Sequence, residues 1–252
     1  MKRIRIMICV LLSILITSVS LLIGCGGAHD EFSDKNKSNN DLINITLYGE
    51  NGESAIIGVD PSGDNRTLTE FYKPNYYLSG FFNSPMSSVQ YIDKEGYFLH
   101  DIEMLPATLY AHFLPVTSDL KFEKSGLWPE PVSLKSTTRY FYFQLPKHFV
   151  NAAKANPQLE LELMLTFTTK DIYENAKTSF MVVDSDKNSN EIFYKVEFNK
   201  QSITYESRNI SCKFPARALS NGGLWLGFGR INANVGYMKN LSFVLKYTGG
   251  TI

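Results

Sequence analysis

Three aromatic residues are the best candidates for a binding role in this sequence. Tyr140 and Tyr142 alternate with two phenylalanines, so in a strand the tyrosines share one face and the phenylalanines the other. Trp225 alternates in the same way with two leucines, and glycines at 227 and 229 leave room beside its indole. Outward aromatic side chains on a sheet can stack on sugar rings or seat a protein partner. The pattern therefore predicts a ligand-binding surface; the alternative is that a loop, a helix or a neighbouring chain covers these rings.

Trp128 is a fourth candidate for ligand binding. It stands between a leucine and a proline, in a stretch from 116 to 137 that we expect to be mostly loop. The alternative is that its indole plugs one end of the fold. Both interpretations remain open from the sequence.

Paired carboxylates are the strongest hint of catalysis. Glu160 and Glu162 share one face of a predicted strand from Leu159 to Thr168, about 6–7 Å apart. Glycosidases use two carboxylates at roughly such a spacing. This face is, however, the solvent side of an alternating strand, where charge is expected, and no third acid follows. The sequence also contains no nucleophile elbow, zinc-binding histidine motif or phosphate-binding glycine loop. We predict no catalytic residues.

Metal and thiol chemistry also have weak candidates. Asp184 to Asn190 has oxygen side chains at alternate positions, as a calcium loop does, but Ser189 and Lys195 replace the glycine and the bidentate glutamate of an EF-hand. We expect a solvated hairpin tip there, with no metal and no cofactor. Cys212 is the one cysteine after residue 25, and a buried thiol is the commoner role of such a residue.

The first 25 residues combine a basic start with an apolar run. Three basic residues precede 19 uncharged residues, Ile6 to Gly24, which predicts an export signal. A membrane-spanning helix is the alternative, because about 20 residues cross a hydrocarbon core. The run ends in Leu22-Ile23-Gly24-Cys25, which resembles the lipobox of bacterial lipoproteins. That resemblance implies cleavage before Cys25 and attachment of acyl chains, palmitate included, to this cysteine.

The resemblance implies a division of the chain into three parts. Residues 1–24 are the lipoprotein signal peptide, residues 25–41 are the lipidated cysteine with a flexible polar tether, and residues 42–252 form the folded domain. Glycines follow Cys25, which resembles lipoproteins that are not retained at the inner membrane. The expected location is therefore a cell membrane or outer membrane, with the domain facing the periplasm or the exterior.

The residues after 41 predict an all-β fold. Apolar and polar residues alternate repeatedly between turn signals, and the one convincing helix is short, from Pro146 to Ala155. Arg66 to Tyr72 is among the expected strands. We predict a two-sheet antiparallel sandwich, jelly-roll-like, as one domain; a split near the 116–137 loop is the alternative. With a final strand over Leu241 to Tyr247, the architecture loosely resembles carbohydrate-binding jelly rolls.

Charge excludes one class of partner. The chain has 25 basic and 25 acidic residues, and removal of the three basic residues of the signal leaves a slightly acidic domain. Nucleic acid, which calls for a basic patch, is not an expected partner. We expect a non-enzymatic, lipid-anchored binding module of the bacterial envelope, with a glycan as its ligand. An assembly lipoprotein that binds another envelope protein is the alternative, and a glycan-active enzyme is the third hypothesis.

Overall fold

The computed structural model describes residues 42–63, 66–135, 137–171, 177–184, 191–198, 204–219, 221–231 and 235–248. The predicted signal peptide, Cys25 and the tether lie outside these ranges, as does the Asp184–Asn190 turn apart from its first residue. Within the described ranges, no helix has the length and hydrophobicity needed to cross a membrane.

The described residues are mostly strand, in three sheets with one short α-helix, α1 (Lys147–Ala155), which confirms the predicted all-β class. A first sheet, here the N-terminal sheet, has the order β2-β1-β5-β3-β4. Its strands are β1 (Ile43–Tyr48), β2 (Ser54–Val59), β3 (Tyr76–Phe82), β4 (Gln90–Asp93) and β5 (Thr108–Pro115). The remaining strands are β6 (Lys121–Leu127), β7 (Val132–Lys135), β8 (Arg139–Gln144), β9 (Glu160–Asp171), β10 (Lys177–Val183), β11 (Ile192–Phe198), β12 (Glu206–Pro215), β13 (Gly223–Ile231) and β14 (Val235–Tyr247).

Strands β6 to β14 form the predicted sandwich, and their pairing is that of a jelly roll. β7, β8, β9 and β10 pair antiparallel with β14, β13, β12 and β11, respectively. These four nested pairs make one long hairpin, which is rolled so that β14 also pairs with β9, and β13 with β10. The first of the two resulting sheets, here the aromatic sheet, has the order β11-β10-β13-β8. The second, here the polar sheet, has the order β12-β9-β14-β6, with β7 also paired to β14. Two facing antiparallel sheets with this nesting define the jelly roll.

The sandwich core follows from period-two patterning. The inward residues of β9 stand at alternate positions and are buried, as the alternation predicts. They are Leu161, Leu163, Leu165 and Phe167. They belong to one apolar cluster that also contains the inward side chains of the aromatic sheet. Burial of such apolar area is the main stabilising contribution to the fold.

The N-terminal sheet is an addition that the prediction of two sheets did not contain. It includes one parallel pair, β1 with β5, and it has an apolar cluster of its own. The prediction of a strand from Arg66 to Tyr72 is wrong, apart from a single β-bridge between Arg66 and Tyr97. This segment runs without strand pairing, and Phe71 packs against Phe81 of β3 with ring centroids 5.9 Å apart. Phe71 therefore covers this cluster, and the segment does not act as a strand.

The expected loop from 116 to 137 is also corrected, because it contains β6 and β7, both paired with β14. The short α1 that follows β8 links the sandwich to the N-terminal sheet. Its Phe149 packs on Tyr247, and the Tyr247 hydroxyl donates a hydrogen bond to the Phe149 carbonyl at 3.0 Å. On the other side, the Asn156 amide donates to the carbonyl of Tyr76 at 3.3 Å.

Candidate functional site

Tyr140, Tyr142 and Trp225 meet on the outer face of the aromatic sheet, and we call this set the aromatic surface. Trp225 lies directly opposite Tyr142 in the pairing of β13 with β8. Their ring centroids are 5.0 Å apart at an interplanar angle of 45°. Tyr142 is 44% exposed, whereas Trp225 and Tyr140 are half-buried. Three of the four aromatic candidates predicted from the sequence therefore lie together at one solvent-facing site.

Alternation along β8 is what turns the tyrosines outward. Phe141 and Phe143, between them, pack against the sandwich core, and Phe141 contacts Phe228 edge-on with centroids 5.8 Å apart. Because the phenylalanines anchor one face of the strand, the tyrosines on the other face are held on a rigid element. Side chains positioned in this way lose little conformational entropy when a ligand binds.

The glycines of β13 do not leave empty room beside Trp225. A Cβ on Gly223 would lie 2.4 Å from the Tyr142 ring, and one on Gly227 would lie 2.6 Å from Cγ of Met181. Side chains of the neighbouring strands thus cover the backbone of these glycines. The result is a shallow platform of rings and one methionine, not the recess around Trp225 that the glycines suggested.

Trp128 lies apart from the aromatic surface. Its ring packs against Phe141 and Phe143, with centroids 4.4 and 6.1 Å away, and these phenylalanines point to the opposite face of β8. Trp128 has a backbone φ of +55°, and its carbonyl accepts a hydrogen bond from the N–H of Asn240 at 2.9 Å. This placement matches the alternative that Trp128 plugs the sandwich.

The carboxylate pair that hinted at catalysis is engaged in surface ion pairs. Glu160 lies 2.8 Å from Lys213, and Glu162 lies 3.1 Å from Lys246. Both glutamates are on the solvent side of β9, as the alternation predicts. Among the described residues, no group of three or more acidic, histidine or cysteine side chains could hold a metal ion.

Cys212 is a buried thiol, as expected. It is 4% exposed, and burial raises its pKa to about 12. A thiol with such a pKa is not a nucleophile at neutral pH.

Two grooves were not foreseen from the sequence. One, of about 830 Å³, crosses the outer face of the polar sheet between short side chains such as Ser211 and Ser242. Glu123 is the one carboxylate among its described lining residues, and it pairs with Lys121 at 2.7 Å. The other groove, of about 570 Å³, lies where α1 meets the end of β8 and the N-terminal sheet. No local sequence signal marks either groove, because residues from distant parts of the chain line both.

Fold and surface together define a jelly-roll protein with an outward aromatic platform. No family model matches the chain, and no curated protein is similar enough to count as a relative. Solved structures share a weak likeness. They include the VP2 subviral particle of infectious bursal disease virus, with 6% identity over 66% of this chain and 42% of that chain and a TM-score of 0.34.

A second such structure is dimeric latent PorU from Porphyromonas gingivalis, with 11% identity, a TM-score of 0.32 and coverage of 82% of this chain and 18% of that chain. A third is tripeptidyl peptidase 2, with 14% identity, a TM-score of 0.25 and coverage of 77% and 14%. This chain spans less than half of each of these chains. The likeness is too weak to support an argument about function.

Proposed function

We propose that this chain is a non-enzymatic glycan-binding module, held at a bacterial membrane by acyl chains on Cys25. The observation that supports it best is the in-register pair of Tyr142 and Trp225 on a solvent-facing sheet. Rings presented in this way offer flat apolar area to the C–H faces of a sugar, while the tyrosine hydroxyl offers a polar contact at the edge. The anchor would keep the module at the envelope, where glycans are abundant.

Binding on this surface is tested with a glycan array and the full lipidated chain in detergent. We expect Trp225→Ala and Tyr142→Ala each to weaken binding of the selected glycan by about tenfold, which corresponds to about 1.4 kcal/mol. Tyr205→Ala is the matched control, because Tyr205 is a comparably exposed tyrosine (37%) that packs against Lys239 of the polar sheet. The control is expected to bind as the unmodified chain does.

Other outcomes separate this proposal from its alternatives. If no glycan binds, the glycan function is wrong. A photo-crosslinker placed at position 225 that captures one envelope protein would then favour the assembly lipoprotein. Hydrolysis of a bound glycan would instead favour an enzyme.

The anchor has a separate test. Mass spectrometry of the chain purified from membranes is expected to find a peptide that begins at Cys25 and has acyl chains attached. A chain that retains residues 1–24 would overturn the lipid anchor and favour the membrane-spanning alternative. Cys25→Ser is expected to abolish both cleavage and labelling with an alkyne fatty acid.

A further inference from the structure

The groove at α1, which we call the junction groove, borders the aromatic surface. Gln144 and Gly222 both line it. Gln144 follows Tyr142 by two residues and therefore shares its face of β8. A Cβ on Gly222 would lie 3.7 Å from the Tyr142 hydroxyl. A ligand stacked on Tyr142 would therefore lie next to residues that line the junction groove.

In this groove, positively charged side chains outnumber the carboxylates that are free to pair with them. Two glutamates line it, and both are engaged. Glu95 accepts hydrogen bonds from the backbone N–H of Lys147 and from the His148 ring. Glu70 pairs with Lys154 at 3.2 Å. The negative charge of the groove is therefore already used within the protein.

Arg66 and Lys147 have no carboxylate partner among the described residues. Lys147 Nζ donates to the carbonyl of Thr67 at 3.1 Å, and Arg66 Nε donates to the carbonyl of Glu95 at 3.1 Å. The Arg66 guanidinium also lies over the ring of Tyr97, 4.9 Å from its centroid. These contacts orient both cations. The described lining of the groove also contains more cations, Arg66, Lys124, Lys147 and Lys154, than carboxylates, Glu70 and Glu95, so an anion is attracted to it.

The pKa of Lys147 reflects the partial burial of its charge. Burial lowers the pKa of this ammonium, and the neighbouring positive charges of Arg66 and Lys154 lower it further, against the opposite effect of Glu70 and Glu95. A bound carboxylate would offset the cost of burying this positive charge.

Asn151 supplies a second and independent sign of a ligand. It lines the junction groove and is 2% exposed, yet neither its Oδ1 nor its Nδ2 has a hydrogen-bond partner among the described residues. It follows Lys147 by four residues and therefore lies on the same face of α1. A buried amide without partners is unfavourable. A ligand with both a donor and an acceptor, such as a sugar bearing a carboxylate, can satisfy it.

We infer that the junction groove binds the carboxylate of an acidic sugar whose neighbouring residues stack on the aromatic surface. The inference rests on the proposed glycan-binding function and names the class of glycan. Arg66 and Lys147 would hold the carboxylate, and the amide of Asn151 would bind adjacent hydroxyl groups.

The experiment compares oligogalacturonate with its neutral methyl ester, using calorimetry on the full lipidated chain in detergent. We expect the acidic oligomer to bind at least tenfold more tightly than the ester. Lys147→Gln and Arg66→Gln are each expected to reduce this preference to less than threefold. Lys213→Gln is the matched control, because Lys213 is exposed on the polar sheet and pairs with Glu160.

Asn151→Leu guards against an effect of misfolding. Leucine has a similar volume and no unpaired polar atoms, so we expect this variant to melt at an equal or higher temperature. We also expect it to bind the acidic oligomer at least threefold more weakly. Lower stability together with unchanged binding would show that Asn151 is not part of the site.

The outcomes distinguish the two proposals. If both oligomers bind equally, or if Lys147→Gln keeps the preference, the acidic-sugar inference is wrong and glycan binding stands. If neither oligomer binds but the monomer D-glucuronate binds and D-glucose does not, the groove is confirmed and the stacking function is wrong. No binding of any of the four probes overturns the inference.

Discussion

Glu95 joins the N-terminal sheet to the first turn of α1, and its replacement by glutamine tests how strongly these parts are coupled. Its carboxylate accepts hydrogen bonds from the backbone N–H of Lys147 at 2.6 Å and of His148 at 3.4 Å, and it also contacts the His148 ring. The side chain is 24% exposed, so these contacts are largely shielded from water. A negative charge here also interacts favourably with the helix dipole.

The expected cost follows from the kinds of bond that change. A hydrogen bond to a charged group contributes about 1.5–3 kcal/mol net, and the loss of a helix cap costs about 0.5–2 kcal/mol. Glutamine keeps one oxygen acceptor but loses the charge. We therefore expect Glu95→Gln to lower the free energy of unfolding by about 1–2 kcal/mol.

The pH dependence gives the prediction a second, independent measurement. Burial raises the pKa of Glu95, but the hydrogen bonds from His148 and from the Lys147 backbone outweigh this and hold it below the ordinary 4.5. The folded chain thus binds fewer protons at this group than the unfolded chain. The stabilisation is therefore fully present above the unfolded-state pKa and is lost as the pH falls through the folded-state pKa.

Urea denaturation at about pH 6 and about pH 3 is the assay. We expect the difference between Glu95→Gln and the unmodified chain to shrink strongly at the lower pH. Glu103→Gln is the control, because Glu103 is an exposed acid on a short 3-10 turn. The reasoning is refuted if Glu95→Gln costs no more than the control, or if its cost is the same at both pH values.

Two further predictions concern burial and backbone strain. Cys212, with its pKa raised to about 12 by burial, is expected to resist iodoacetamide in the folded chain and to react once the chain is unfolded; labelling of the native chain would contradict this. Gly80→Ala is expected to cost about 3 kcal/mol, because a positive φ of 140° is combined with a Cβ only 2.3 Å from the carbonyl oxygen of Ile92. Gly52→Ala, with φ of 86° and no atom within 4 Å, is expected to cost about 1 kcal/mol; equal costs in urea denaturation would be inconsistent with the clash.

The period-two pattern of the sequence was sufficient to predict the strands that have one fully buried face. β9 shows this most clearly, since its apolar and polar residues alternate without interruption. β6 was missed because it is exposed along most of its length, so Lys121–Leu127 has little apolar patterning to detect. For the segment from Arg66 to Tyr72 the error was the opposite one, because a strand was predicted where none forms. It has strand-like composition but no paired neighbour beyond one bridge, and pairing is a property of the fold that local composition does not contain.

The candidate site was predictable to a similar extent. Alternation alone places Tyr142 and Trp225 on outer faces, but the register that sets them opposite each other depends on the pairing of strands about 80 positions apart. The junction groove was beyond local reasoning, because Arg66, Glu95 and Lys147 come from separate segments. Only the folded chain shows which charges compensate one another and which amide lacks a partner.

The nested pairing of the jelly roll has a consequence for the order of folding. β10 and β11 are consecutive, whereas β7 and β14 pair positions as distant as 132 and 238. Because the entropy lost in closing a loop grows with its length, the inner pair closes most easily, and each pair then shortens the loop that the next one must close. Assembly dominated by such long-range pairs is slow. Until β14 arrives, one edge of β9 remains unpaired, and during that interval it is open to pairing with another copy of the chain.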